Sequence, residues 1–180
     1  MKFGYLRTIF AVAFTVFCLS TTHARAEANI AVIDIDMILV KSKAAVSIKK
    51  QVESKRKEFL QEIKTAEDKL RTDQKSLEKK RSELSKEEFL KQIQGFESRR
   101  LVARKKIQEK KQKLEKAYSE VMSNLTKSIY EVCQKIAVED KIDLIITRQN
   151  IVVGSMSLDI TEKAMERLNK KTPKLSLKVK

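Results

Sequence analysis

The 180-residue sequence is poor in the residues that build tight turns, metal sites and phosphate-binding loops. It contains three glycines, one proline, two cysteines, one histidine and no tryptophan. Gly4, Gly95 and Gly154 lie far apart, so the clustered glycines of a P-loop or a dinucleotide-binding loop are missing. This scarcity also argues against a many-turned β-sandwich, whereas 35% charged residues are typical of long, solvated helices.

The N-terminal residues have the pattern of a cleavable export signal. Lys2 and Arg7 precede an apolar run over residues 8–19, which is too short to span a bilayer comfortably. A small-x-small pattern follows and ends at Ala26. The sequence therefore predicts a signal peptide over residues 1–26, cleaved after Ala26, and an exported protein.

Cleavage would leave few groups that could do chemistry. It would remove His23 and Cys18, so that Cys133 would be the one remaining cysteine and no histidine would remain. An intrachain disulfide, a His-based triad and a Cys/His zinc site would then be impossible within one chain. Cys133 lies in an apolar stripe and is interpreted as a packed thiol. Asp34 and Asp36 are interpreted as ordinary carboxylates on one strand face, so no enzyme, metal or cofactor is predicted.

A long central segment has helix composition. It contains no proline and one glycine among many lysines, glutamates, glutamines and alanines. Ser85, with Glu88 three residues later, matches a capping box and predicts the start of a new helix. Two helices are therefore expected, over residues 43–83 and 86–138, with the chain folding back at residues 80–87.

Each predicted helix carries an apolar seam, spaced in the second helix alternately by four and three residues. At 1.5 Å per residue, an arm of about 40 residues would extend about 60 Å. Charged residues interrupt the seams at Asp73, Lys80, Arg100 and Lys110, which weakens a coiled coil and loosens its register. The apolar seam residues are Val52, Phe59, Ile63, Ala66, Leu70, Leu77 and Leu84 in the first helix, and Phe89, Ile93, Phe96, Ala103, Ile107, Leu114, Ala117, Val121, Leu125, Ile129, Val132 and Ile136 in the second.

Three short segments outside the long helices predict strands. Residues 29–36 (NIAVIDID) are β-branched and apolar. Residues 142–147 (IDLIIT) and 151–153 (IVV) flank a three-residue loop and predict a β-hairpin. The basic segment 174–180, after Pro173, is expected to fray.

These elements predict an α+β fold, predominantly α, in which a helical-hairpin arm (residues 41–138) is inserted in a small β-rich head (residues 27–40 and 139–180). Residues 159–161 would open a short helix in the head, with Asp159 or Thr161 as its candidate N-cap. A head of about 56 residues rarely makes a sufficient core alone, and short strands leave open edges, so we expect an oligomer. The candidate residues for oligomerisation are Ile30, Val32, Ile33, Ile142, Leu144, Ile146 and Val152.

The positive charge is concentrated on the arm. Residues 41–138 hold 27 lysines and arginines against 15 aspartates and glutamates, whereas the head holds nine of each kind. Such a surface attracts polyanions or acidic partners, and salt weakens the attraction. Nucleic acid would bind nonspecifically, in vitro only, because stacking aromatics are few and export removes the protein from cellular DNA. The candidate binding residues are Lys79, Lys80, Arg81, Lys86, Arg99, Arg100, Arg104, Lys105, Lys106, Lys110 and Lys111.

Three segments occur in an order that is similar to a known family: IAVIDID (30–36), IDLIIT followed by NIVV (142–153), and DIT with a leucine seven residues after its threonine (159–168). Together with the export signal and the basic arm, they resemble the Skp/OmpH family of periplasmic chaperones. The resemblance implies a homotrimer whose β-barrel body carries three helical-hairpin tentacles around a cavity for unfolded outer-membrane proteins. It also implies ATP-independent action and a basic site for lipopolysaccharide.

We therefore expect an ATP-independent periplasmic holdase that captures unfolded outer-membrane proteins between basic arms and keeps them soluble for membrane assembly. Long-range attraction would capture the client, and weak apolar contacts would hold it. The alternative is a structural coiled-coil envelope protein that binds anionic lipid or other polyanions. A stiff rod needs an undisturbed seam, and the charged seam residues argue against it.

Overall fold

The computed structural model describes residues 28–180 and confirms a predominantly helical α+β chain. The predicted signal peptide over residues 1–26 lies outside the described residues. Two single-turn 3-10 helices, Arg148–Asn150 and Met156–Leu158, lie between the last strand and the last helix. In chain order the other elements are β1 (Ile30–Ile33), α1 (Ile35–Lys41), α2 (Lys43–Lys80), α3 (Lys86–Asp140), β2 (Leu144–Thr147) and α4 (Thr161–Lys171).

Helices α2 and α3 form the long antiparallel hairpin that the sequence predicts, with 38 and 55 residues. The Ser85 hydroxyl accepts a hydrogen bond from the Glu88 backbone N–H at 3.3 Å, and the Glu88 carboxylate accepts one from the Ser85 backbone N–H at 3.2 Å. The Ser85 hydroxyl also lowers the pKa of Glu88, because it stabilises the charged carboxylate. This capping box explains why α3 begins at Lys86.

Ser85→Ala should destabilise the tip of the arm by about 1 kcal/mol, since it leaves an N–H of the first turn of α3 without its acceptor. The measurement is amide hydrogen exchange over residues 86–90, which should become faster. Ser82→Ala is the matched control, because Ser82 lies in the same turn and makes only a 3.5 Å contact with the Lys79 carbonyl. Equal acceleration in both variants would contradict a specific role for the cap.

The two seams face each other along the arm, and their burial decreases toward the tip. Toward the tip most seam side chains are half-buried, with Phe96 as the one buried exception among the described residues. Two ion pairs cross between the helices there, Arg99 with Asp73 at 3.1 Å and Lys110 with Glu62. The seam residues of α3 that are buried near the head are Ala117, Val121, Leu125, Ile129, Val132 and Ile136.

The head is built on a two-stranded parallel sheet. Strand β1 pairs with β2 so that Ile30 lies opposite Leu144 and Ile33 lies opposite Thr147. Parallel neighbours need a long crossover connection, and here the arm itself is that connection. One hydrophobic core then joins head and arm, since it takes buried side chains from α1, α2, α3 and α4.

The predicted strand over residues 29–36 is wrong beyond residue 33. The Asp34 carboxylate accepts a hydrogen bond from the Met37 backbone N–H at 2.8 Å and caps α1. Asp34 therefore ends the strand instead of continuing it, because an aspartate N-cap satisfies a free N–H of the first helical turn. Asp36 lies inside α1, so the two aspartates do not share a strand face.

The predicted β-hairpin over residues 142–153 is also wrong. Residues 148–150 form a single 3-10 turn, and residues 151–153 are not a strand. Three-residue hairpin loops usually need a left-handed residue, yet Lys141 is the one described non-glycine residue with positive φ. Strand β2 therefore takes β1 as its partner.

Helix α4 begins at Thr161 with Ile160 as its N-cap, so the prediction of Asp159 or Thr161 as N-cap is wrong: Asp159 lies one residue before the cap and Thr161 one residue after it. The Asp159 carboxylate accepts the Thr161 backbone N–H at 2.7 Å, and the Thr161 hydroxyl accepts the Asp34 backbone N–H at 2.8 Å. Burial alone would raise the pKa of Asp159, but hydrogen bonds from Thr161 and the ion pair with Arg148 outweigh it and lower that pKa. These contacts fix α4 to the end of β1.

The segment 174–180, which we call the tail, packs along α2 instead of fraying as predicted. The Gln51 side-chain amide donates to the Leu175 carbonyl at 2.7 Å and accepts from the Leu177 backbone N–H at 2.9 Å. Leu175 and Leu177 also pack against the core. Their i, i+2 spacing puts both leucines on one side of an extended chain, which explains the docking.

Candidate functional site

An elongated groove, which we call the arm groove, runs between α2 and α3 and encloses a cavity of about 720 Å³. Its floor comes from the apolar seams, because these are only half-buried in this part of the arm. The floor residues are Phe59, Ile63, Ala66, Leu70, Val102, Ala103 and Ile107. The basic residues of its rim are Lys69, Arg99, Lys106, Lys110 and Lys113. Glu62, Asp73 and Glu109 line it too, and the first two pair with Lys110 and Arg99, so the rim keeps an excess of positive charge around the apolar floor.

A second cavity, of about 620 Å³, lies where the arm meets the head. It is lined by apolar side chains of α1, α2 and α3, with Lys49, Arg56 and Lys111 beside them. Helical periodicity places these three basic residues on the other side of the seam from Lys55 and Lys113. Val40 and Tyr118 are 70% and 46% exposed there. Both faces of the hairpin therefore combine apolar and basic surface.

The predicted basic residues divide into groups that face different directions. Arg99, Lys106 and Lys110 border the arm groove together. Lys111 lines the second cavity, on the opposite face of the hairpin. The members at the tip are exposed, but the structure does not bring them to either cavity; they are Lys79, Lys80, Arg81 and Lys86.

Three further predicted residues, away from the tip, also border neither cavity. Arg104 and Lys105 are exposed on α3, and Lys105 lies 3.9 Å from Glu109. Arg100 is half-buried and pairs with Glu97 at 3.2 Å, while its Nε atom is buried without a hydrogen-bond partner. Arg100 therefore lies within the seam region of the hairpin instead of on the open rim.

Sequence reasoning missed two rim residues, Lys69 and Lys113. Neither belongs to a run of neighbouring basic residues, which is the signal that selected the candidates. Each directly precedes a seam leucine, Leu70 or Leu114. Residues that flank a seam position border the groove, so position relative to the seam would have identified both.

The head exposes an apolar surface beside its small sheet. Among the candidates for oligomerisation, Val152 is fully exposed and Leu144 is 51% exposed. Ile30, Ile142 and Ile146 are half-buried, whereas the Val32 and Ile33 side chains are buried in the chain's own core. Two exposed apolar residues of the same region, Val153 and Met156, were not predicted.

Cys133 is the one cysteine of residues 28–180. Cys133 is buried, and burial raises the pKa of its thiol, which confirms a packed thiol. Residues 28–180 contain no group of three or more His, Cys, Asp or Glu side chains that could hold a metal ion. No helix of this region combines the length and the apolar character that crossing a membrane requires.

The geometry defines a class of protein: a basic helical hairpin inserted in a small α+β head. The family model of outer membrane proteins (OmpH-like) matches residues 29–168, and the chain belongs to this family. The fold is similar to the solved structure of a candidate outer membrane chaperone (OmpH-like) from Caulobacter crescentus. That structure has a TM-score of 0.80 and 14% sequence identity over 88% of this chain and 94% of its own. No curated protein matches the sequence.

These comparisons confirm the resemblance that the sequence indicated. The structural neighbour shares this fold. The matched region ends at residue 168, so the tail lies beyond it.

Proposed function

We propose that the protein is an ATP-independent periplasmic holdase for unfolded outer-membrane proteins, exported by a signal that is cleaved after Ala26. The observation that carries this proposal is the arm groove, in which a half-buried apolar floor lies inside a cationic rim. An unfolded membrane strand exposes alternating apolar residues and needs shielding from water. Such a groove supplies the shielding without bond chemistry.

The proposed cycle has two stages. The excess of positive charge on the arm draws in an acidic or amphipathic chain from a distance and raises its association rate. Apolar side chains of the groove floor then make short-range contacts, each weak because the groove is open to water. Many weak contacts hold the client by avidity, while each can still release it.

Aggregation of a urea-unfolded outer-membrane β-barrel, diluted with and without the protein, tests the holdase function. We expect the protein to suppress light scattering at low salt and to do so less at high salt, because salt screens the capture step. A folded soluble protein of equal net charge is the control, since charge without the apolar groove should suppress little. Scattering that the protein leaves unchanged at low salt would contradict the proposal.

We further propose that three copies assemble through the head. The outer edge of β1 is bridged at Val32 by Asp159, whereas β2 has β1 as its one strand partner in the sheet, so its other edge is ready to pair with another chain. Val152, Val153 and Met156 expose apolar side chains close by in sequence and would gain cover in an assembly. This arrangement would place three arms around one cavity.

Val152→Asp should break this assembly, because the charge would be buried between subunits. Light scattering should report about three times the chain mass for the parent protein and about one chain mass for the variant. Val138→Asp is the matched control, since Val138 is 81% exposed on α3, at the end of the arm next to the head. A parent protein that is monomeric, or a Val152 variant that keeps its mass, would contradict the proposal.

The exposed basic tip favours a second candidate role, binding to anionic lipid or lipopolysaccharide. The residues at the tip are exposed and lie away from the two cavities, where flat contact with headgroups is possible. Co-sedimentation with vesicles containing anionic lipid should decrease on removing the tip charges. A protein that sediments with these vesicles but does not suppress client aggregation would favour the structural alternative.

A further inference from the structure

The tail lies across the root of the arm in a specific way. Gln51 contacts its main chain at two points, one donated and one accepted hydrogen bond, at residues 175 and 177. The side chains between and beyond the leucines, Ser176 and Lys178, are exposed, whereas Leu175 and Leu177 are half-buried. The tail therefore sits as an extended segment whose alternate side chains face the arm.

Apart from the apolar residues at alternate positions, these contacts do not depend on the side chains of the tail. The Gln51 amide donates to the carbonyl of one tail residue and accepts from the N–H of the residue two positions later. A neighbouring β-strand would make the same pair of hydrogen bonds. Any extended segment offers the same two backbone groups. What the site selects is an apolar residue at positions i and i+2, the pattern of a strand with one apolar face.

The surface under the tail continues into the arm groove. A cavity of about 500 Å³ lies between the end of the tail and the arm, lined by residues that include Lys55 and Leu114. This cavity and the arm groove share four lining residues, which are Phe59, Glu62, Lys110 and Lys113. A longer extended chain could therefore run from the open groove into the position of the tail.

The tail is held without help from charge. Lys178 and Lys180 line a cavity whose arm side contributes three lysines and two glutamates. Both glutamates already pair with lysines of the arm, Glu58 with Lys55 at 2.6 Å and Glu62 with Lys110. A basic tail in a basic groove is less favoured than an acidic or neutral segment of the same shape.

We propose that the groove under the tail is a binding site for an extended polypeptide segment with apolar residues at alternate positions, and that the tail is its built-in competitor. This inference rests on the proposed function and names the place and pattern of the client contact. A client segment would first lie in the open arm groove. It would then displace the tail from its Val179 end toward Leu175.

The test compares the full chain with a variant that ends at Thr172. The probe is a fluorescein-labelled acidic peptide with alternating valine and threonine, and fluorescence anisotropy measures its affinity. If the tail covers the groove about nine-tenths of the time, removing it should tighten binding about tenfold, because only the uncovered fraction binds. Gln51→Ala in the shortened chain should weaken binding, since it removes both backbone contacts.

A peptide of the same composition with its valines contiguous is the control, and it should bind both proteins equally weakly. Circular dichroism shows whether the shortened chain folds. If it does not, Leu177→Ser in the full chain replaces it in the test and should tighten binding of the alternating peptide severalfold. The inference would be overturned if the full chain and the variant bound the alternating peptide with equal affinity. It would also be overturned if the variant bound the alternating and the contiguous peptide with equal affinity. The aggregation assay tests the holdase function separately from the tail. If the protein suppresses aggregation but removing the tail does not change peptide binding, only the inference about the tail is refuted.

Discussion

Leu125→Ala should lower the free energy of unfolding by about 2–5 kcal/mol, the range for truncating a fully buried leucine. Leu125 has no exposed surface and belongs to the core that joins head and arm. That core takes Ile38 from α1, Ile48 from α2 and Leu168 from α4. A cavity at Leu125 therefore loosens contacts of four helices at once.

Leu101→Ala is the matched control, because Leu101 lies on the same helix and is 62% exposed. The same truncation there should cost no more than about 0.5 kcal/mol, as for other surface positions. Urea unfolding followed by circular dichroism measures both values, at one fixed protein concentration because assembly adds to apparent stability. Similar losses in the two variants would mean that the root of the arm is not a packed core.

The helices could be predicted because their signals are local. The helical hairpin could be predicted from the composition, the two apolar seams and the Ser85 capping box. Each of these signals acts within a few residues of the chain. The first long helix ends at Lys80, three residues before the predicted end. Helix ends are the least certain part of such predictions, because the last turn has few tertiary contacts.

The sheet could not be predicted in the same way, because its pairing is not local. Strands β1 and β2 are separated by more than one hundred residues, and nothing in either segment specifies a parallel partner. A hairpin between residues 142–147 and 151–153 was the closest alternative in sequence. Contact with β1 overrides that preference, as tertiary packing often does for short apolar segments.

The site could be predicted only in part. Net charge indicates the arm as the candidate binding surface, and this needs no structure. Which basic residues line a groove depends on the angle of each side chain around its helix, so runs such as 104–106 scatter over more than one face. Lys106 lines the groove, whereas its neighbours Arg104 and Lys105 do not.

The tail was predicted to fray because a short basic segment after a proline usually does. Its docking depends on Gln51, which is more than one hundred residues away in the sequence. A glutamine on a helix gives no signal of such a contact. The alternation of Leu175 and Leu177 was visible, but it predicts docking only when a matching surface is known.

Removing three of the four lysines of the groove rim, as Lys69→Gln, Lys106→Gln and Lys113→Gln, should weaken binding of an unfolded outer-membrane protein about tenfold at low salt. Lys110 is left in place because it pairs with Glu62. Each exposed charge contributes little, but three on one rim act on the same bound segment. The difference should shrink as salt rises from about 0.05 M to about 0.5 M, because screening weakens the parent protein more than the variant. Fluorescence of a labelled client, titrated with each protein, measures both effects.

Two variants make this result specific to the groove. Replacing the same lysines by arginine keeps the charge and should keep the affinity within about twofold, since steering depends on charge more than on its carrier. Changing Lys79, Lys80 and Arg81 to glutamine removes equal charge from the tip, outside the arm groove, and should cost less. If the tip and rim variants lost equal affinity, capture would depend on total charge alone, and the apolar groove would not be where the client is held.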